Sequence, residues 1–185
     1  MKTPFLALAC ALVLAGCTSV PNRAVDDARG IDGVACVGAV GNPGAGFTEA
    51  ANAALQARAQ LPTGQGGVCL AKVFSITAPV TLYRVFDASK PYTRQGSWWS
   101  LARPAGSRAD YRVANAICPE WSPLDRLAVC QIRPGSQVVL GTTQSATCAD
   151  GTTLPKSAQI QVFVANDGRA GFIHTGACLE DTSWP

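Results

Sequence analysis

The 185-residue sequence predicts an α+β domain: a mainly antiparallel, twisted sheet with a few short helices, stabilised by disulfides. Three observations carry that prediction. Short runs rich in β-branched and aromatic residues recur from residue 68 onward, bounded by Gly, Pro, Asn or Asp. Only two stretches carry helix signals, at 48–61 and 107–118. Of the eight cysteines, Cys10 and Cys17 lie near the start, leaving Cys36, Cys69, Cys118, Cys130, Cys148 and Cys178 as an even set suited to three disulfides in an exported chain. Sequence alone leaves their pairing open.

The chain opens with one lysine and an apolar run from Phe5 to Val13, a secretory leader too short to span a bilayer stably. Its end, Leu14-Ala15-Gly16-Cys17, resembles the lipobox of bacterial lipoproteins. That resemblance implies removal of residues 1–16, lipidation of Cys17 and attachment to a membrane through the lipid. Thr18 follows where an aspartate would resemble an inner-membrane retention signal, so the outer membrane is the expected site. An ordinary signal peptide cleaved elsewhere is the alternative. Residues 17–33 are polar and aperiodic, a tether leading to a single domain over residues 34–185.

The first stretch of that domain, "GAVGNPGAG" at 38–46, lacks the Gly-Lys-Ser/Thr ending of a phosphate loop and is expected to be plain loop. The alanine-rich "TEAANAALQARAQL" predicts a helix over 48–61, with Thr48 as N-cap and Glu49 in the first turn. Strands are expected at 68–76, 80–86, 127–132, 136–141, 158–165 and 170–174. "RPG" and "NDG" between successive runs suggest hairpin turns. "SRADYRVANAIC" carries Ser107 and Asp110 at the spacing of a capping box and predicts a second short helix.

Charge is uneven along the chain. Residues 72–133 hold nine Lys or Arg against Asp87, Asp110, Glu120 and Asp125. This local excess suits a small anionic ligand better than nucleic acid, which asks for a stronger basic stripe, although a solvated basic surface has the same composition. No two of the six later cysteines stand at a metal-ligand spacing and the one histidine, His174, has no nearby ligand partner, so no metal is expected.

Three features bear on chemistry. In "TLYRVF" the two-residue period puts Val80, Leu82, Arg84 and Phe86 on one face and Thr81, Tyr83 and Val85 on the other. A guanidinium among apolar neighbours needs a partner: either a buried salt bridge to Asp87 or Asp110, or a phosphate entering a cleft. In "GSWWS", Trp98 and Trp99 point to opposite sides, so one faces a surface or pocket unless both are packed. In "SAQIQVFV", Gln159, Gln161 and Phe163 share a face, either on an edge strand with a wet side or meeting a ligand.

Taken in order, "YRVF", "GSWWSLARP" and "IQVFV" resemble the arginine, serine and glutamate/glutamine regions of ADP-ribosyltransferase-like folds. The closer likeness is to NAD-hydrolysing domains similar to the tuberculosis necrotizing toxin. The resemblance implies NAD as substrate, without a resident cofactor. Arg84 would hold the pyrophosphate, Ser97 with Trp98 or Trp99 would form the nicotinamide-ribose pocket, and Gln161 would meet the ribose as the glycosidic bond opens. Arg84, Ser97 and Gln161 are thus the implied catalytic residues, with Tyr83, Trp98, Trp99, Gln159 and Phe163 on the substrate. The implied reaction is hydrolysis of NAD to nicotinamide and ADP-ribose by an exported lipoprotein acting as a toxin or effector. Gln161 stands where the transferases carry glutamate, Gln159 replaces the residue that engages a target arginine, and no histidine lies between Arg84 and Gln161. These departures favour hydrolysis over protein modification and weaken the charge available to an oxocarbenium-like centre. The competing class is a non-catalytic, disulfide-rich surface lipoprotein that binds an anionic partner, with Arg84 already paired to an acid inside the fold.

Overall fold

The structure is a computed structural model that describes residues 28–184. The leader and Cys17 lie outside the described residues. In chain order the elements are β1 (Phe47–Ala50), α1 (Ala53–Ala59), β2 (Val68–Ile76), β3 (Val80–Phe86), β4 (Trp98–Trp99), α2 (Arg108–Asn115), β5 (Arg126–Ile132), β6 (Gln137–Thr143), β7 (Ala146–Thr147), β8 (Thr153–Leu154), β9 (Ser157–Val164) and β10 (Thr175–Ser183). One sheet has the order β1-β2-β6-β9-β4 and a second the order β10-β5-β3; β7 and β8 form a separate small hairpin. Every pairing is antiparallel.

Strand alternation explains the core. Phe74 and Ile76 of β2, Val138 and Leu140 of β6, and Val162 and Val164 of β9 meet Leu82 and Phe86 of β3 and Ala128, Cys130 and Ile132 of β5 between the two sheets. The opposite face of the larger sheet is covered by α1, whose Leu55 and Ala59 sit in a cluster with Val73, Val139 and Phe163. Outside the smaller sheet, Val85, Leu127 and Val129 pack with Leu124 and Trp184, and Tyr111 of α2 adds to that cluster. The two-residue β4 joins the sheets. Trp98 and Trp99 pair with Phe163 and Val162, and Ser100 then exchanges two backbone hydrogen bonds with Tyr83 at 3.0 and 2.7 Å.

Several expectations are corrected here. The stretch 48–61 is not one helix: Phe47–Ala50 is strand β1, drawn into register with β2, and α1 starts only after Asn52, whose side chain accepts from the Leu55 N–H. Thr48 accordingly pairs with Ser75 in the ladder instead of capping a helix, and Glu49 meets Lys72 across the β1–β2 pair at 3.5 Å instead of standing in a first turn. Residues 170–174 form a turn, with Asp167 bridged to Phe172, and the last strand lies beyond it at Thr175–Ser183. "RPG" and "NDG" do not close hairpins. The links 77–79, 133–136 and 165–174 each carry the chain from one sheet to the other, because the core is built between the sheets rather than within one. Finally, β9 lies between β6 and β4, but β4 pairs only with Val162 and Phe163, so the half of β9 that carries Gln159 and Gln161 has a ladder partner on one side alone. The second helix keeps its expected cap: the Ser107 hydroxyl accepts from the Asp110 N–H and donates to its carboxylate.

The six cysteines form three disulfides, Cys36–Cys69, Cys118–Cys148 and Cys130–Cys178. The first ties the N-terminal segment to β2, the second ties the segment after α2 to the β7–β8 hairpin, and the third staples the neighbours β5 and β10. The stretch 28–33, expected as tether, lies on the domain. Arg29 bridges to Ala35, and the Lys156 ammonium donates to Asp32 at 2.8 Å and to the Val34 carbonyl at 2.7 Å. Bonding to Lys156 holds the Asp32 carboxyl below its ordinary pKa. No helix among the described residues is long and apolar enough to cross a membrane. Three disulfides in such a body are compatible with an extracellular protein.

Candidate functional site

Arg84 does sit on the apolar face of β3, where Val80, Leu82 and Phe86 enter the inter-sheet core. Its partners are not acids. The Nε donates to the Thr93 carbonyl at 2.6 Å and Nη1 donates to the Trp98 carbonyl at 2.6 Å. Asp87 is engaged by Ser89 and Lys90, and Asp110 by Ser107. Of the two alternatives, the buried salt bridge is therefore absent among the described residues, because the loop 90–96 and β4 present carbonyls instead. Burial pulls the guanidinium pKa down to about 10, with the phenol of Tyr111 acting weakly against that shift. The group stays charged at neutral pH. Its burial lowers stability fully below about pH 10, and the penalty fades as pH rises through that value toward the ordinary arginine range.

Gly96 makes room for this arrangement. A Cβ there would meet the Arg84 guanidinium itself. The Gly96 carbonyl accepts from the Trp99 indole at 2.7 Å, which locks Trp99 into the core at 1% exposure. Trp98 turns the other way and its ring packs on Phe163 at 5.0 Å, so the two indoles take opposite faces as the strand period requires.

Arg84, Trp98 and Gln161 border one cavity of about 470 Å³. That is within the roughly 300–1,000 Å³ common for small-molecule sites. The strands β3, β4 and β9 bring the three residues together through the short β4 link. Gln161 is buried, and its amide nitrogen donates to the Asn115 carbonyl at 3.1 Å and to the Thr143 hydroxyl at 2.9 Å. With both hydrogens engaged, Gln161 can offer a ligand only its carbonyl oxygen. The other candidates fall elsewhere. The Ser97 hydroxyl donates to the Asn166 carbonyl at 2.9 Å and does not border the cavity. Tyr83 packs in the cluster outside the smaller sheet, Phe163 lies under α1, and Gln159 borders a separate cavity of about 190 Å³.

Sequence reasoning missed the facing wall. Asn115, Ala116, Ile117, Trp121, Ser122 and Leu124 border the same cavity, as do Gln65 and Gly67 from the turn before β2. Arg112 organises this segment, donating to the carbonyls of Ile117, Cys118 and Ser122. Ala116 and Leu124 have φ of 47° and 55°, the two left-handed non-glycine residues among those described, and both line the cavity. Such conformations persist where surrounding structure over-determines them, and they concentrate at binding sites. Cys118, Glu120 and Cys148 come together near this wall, but the two sulfurs are bonded to each other. Among the described residues no carboxylate borders the cavity. Those residues give it the partly buried cation of Arg84, the amides of Gln65, Asn115 and Gln161, and apolar and indole surface. Comparison of the chain with protein-family models, with curated proteins and with solved structures finds no match.

Proposed function

We propose that this protein binds NAD or a similar dinucleotide in the Arg84 cavity. The observation that carries the reading is a partly buried guanidinium that borders an open cavity, is paired with carbonyls rather than an acid, and shares that cavity with Trp98 and Gln161. A phosphate would supply the missing negative charge, and the arginine fork suits it. The arrangement supports binding better than turnover. Opening the N-glycosidic bond develops positive charge on the ribose, which a carboxylate would stabilise; here the Gln161 carbonyl dipole is the nearest substitute. Ser97, whose hydroxyl donates to the Asn166 carbonyl away from the cavity, has no part in this reading of the ribose pocket. Hydrolysis to nicotinamide and ADP-ribose is the second reading, and it rests on Gln161.

Calorimetric titration of NAD into the oxidised protein, run beside an assay for released nicotinamide, tests both. The expected result is binding that Arg84→Ala weakens by about 10- to 100-fold, the effect of losing a charge-assisted fork, with an unchanged circular dichroism spectrum. Nicotinamide release that disappears in Gln161→Ala would establish the hydrolytic reading. Absence of NAD binding by the wild type ends the proposal.

A further inference from the structure

Trp121 borders the Arg84 cavity and still keeps 42% of its surface exposed. A single exposed aromatic residue is ordinary. Its surroundings are not. The Trp121 N–H donates to the Cys118 carbonyl at 3.1 Å, the Glu120 carboxylate accepts from the Ala149 N–H at 2.7 Å, and the Ser122 carbonyl accepts from Arg112 at 2.6 Å. Cys118 is bonded to Cys148, so the short turn that carries Trp121 is fixed on every side. The ring lies against Gly66 of the facing turn, at ordinary van der Waals distance from where a Cβ would stand. An indole with an immobilised backbone, open to solvent and bordering the same cavity as the Arg84 cation, offers stacking area at little further cost in entropy. Neither Trp98, packed at a tilt on Phe163, nor Trp99, in the core, offers as much free surface.

We propose that Trp121 is the ring-binding residue of this cavity, and that its ligand is a phosphate ester carrying a heteroaromatic base, a nucleoside diphosphate being the minimal form. The inference rests on the reading of Arg84 as the anion seat and sharpens it by moving the stacked ring from Trp98 or Trp99 to Trp121. The amides of Gln65 and Asn115 border the cavity and supply donors and acceptors for the edge of a base.

Pyrophosphate and ADP form a matched pair of probes, differing only in the adenosine. Calorimetry on the disulfide-bonded protein should give ADP an affinity about tenfold or more above pyrophosphate, in line with base stacking on an aromatic side chain. Trp121→Ala should erase that difference and leave pyrophosphate within about twofold, while Trp121→Phe keeps most of it. The substitution is at an exposed side chain, so loss of folding is not expected, and circular dichroism checks it. If the preference for ADP survives in Trp121→Ala, or if wild type binds both probes equally, the ring assignment is overturned while the anion seat stands. Arg84→Ala should weaken both probes alike, and a wild type that binds neither overturns both readings.

Discussion

The cavity has two walls made by different means. Arg84, Trp98 and Gln161 stand on strands whose positions follow from ladder hydrogen bonds and from alternation into the inter-sheet core. The facing segment 115–124 has no ladder. It is held by three carbonyls gathered on Arg112, by the Cys118–Cys148 bond, and by two residues in left-handed backbone conformation. The strand wall is therefore a by-product of the fold, whereas the loop wall is shaped largely by local bonds. A loss in the loop wall should weaken binding beyond what an equal loss of stability elsewhere in the fold does.

The largest effect comes from comparing two disulfides that close loops of nearly equal length. Cys118–Cys148 spans 30 residues and Cys36–Cys69 spans 33, so removal of either by paired Cys→Ser substitution should cost about 3 kcal/mol in chemical denaturation. Only the Cys118/Cys148 pair should also weaken ADP binding, because only it fixes the Trp121 turn. Equal losses of binding in both variants would break the distinction between the walls. A smaller effect is expected on the strand side. Gly96→Ala puts a methyl where the Arg84 guanidinium lies, and pyrophosphate affinity should fall about tenfold, roughly the value of one charged hydrogen bond. An unchanged affinity would mean that Arg84 is not the anion seat.

The smallest effect separates ordinary from left-handed backbone. Ala128 on β5 and Ala116 after α2 are both buried, at 0% and 1% exposure. Ala128→Gly should cost about 1 kcal/mol through lost burial and strand entropy. At Ala116, relief of the positive φ offsets the lost methyl, and Ala116→Gly should stay within about 0.5 kcal/mol of wild type. Thermal unfolding of the two variants side by side measures the difference.

Much of the strand architecture was legible because β-branched runs between turn residues leave few alternatives, as at Val68–Ile76 and Val80–Phe86. β1 was not, since alanine content spoke for helix and only the edge of β2 made it a strand. Nor was β10, whose Gly, Glu and Asp hide its pairing with β5. Turn residues mark where the chain reverses and not which strand receives it, so both hairpin readings failed at the crossings between sheets. At the site, Arg84, Trp98 and Gln161 drew notice as polar or bulky groups out of place in apolar strands. Asn115 ends α2 and Trp121 sits in the turn after it, where neither is out of place in its sequence. Their convergence comes from Arg112 and a disulfide whose pairing the sequence left open.

The place of β10 after every strand it meets has a consequence for assembly. Its pairing with β5, its bond from Cys178 to Cys130, and the docking of Trp184 beside Leu124 all await residues 175–184. A chain delivered from its N-terminus can form the Cys36–Cys69 and Cys118–Cys148 bonds while Cys130 still lacks its mate. Oxidation therefore has an inherent order of opportunity. A chain cut short before Thr175 would present β5 with an open edge and an unpaired thiol, the form most inclined to join its own copies.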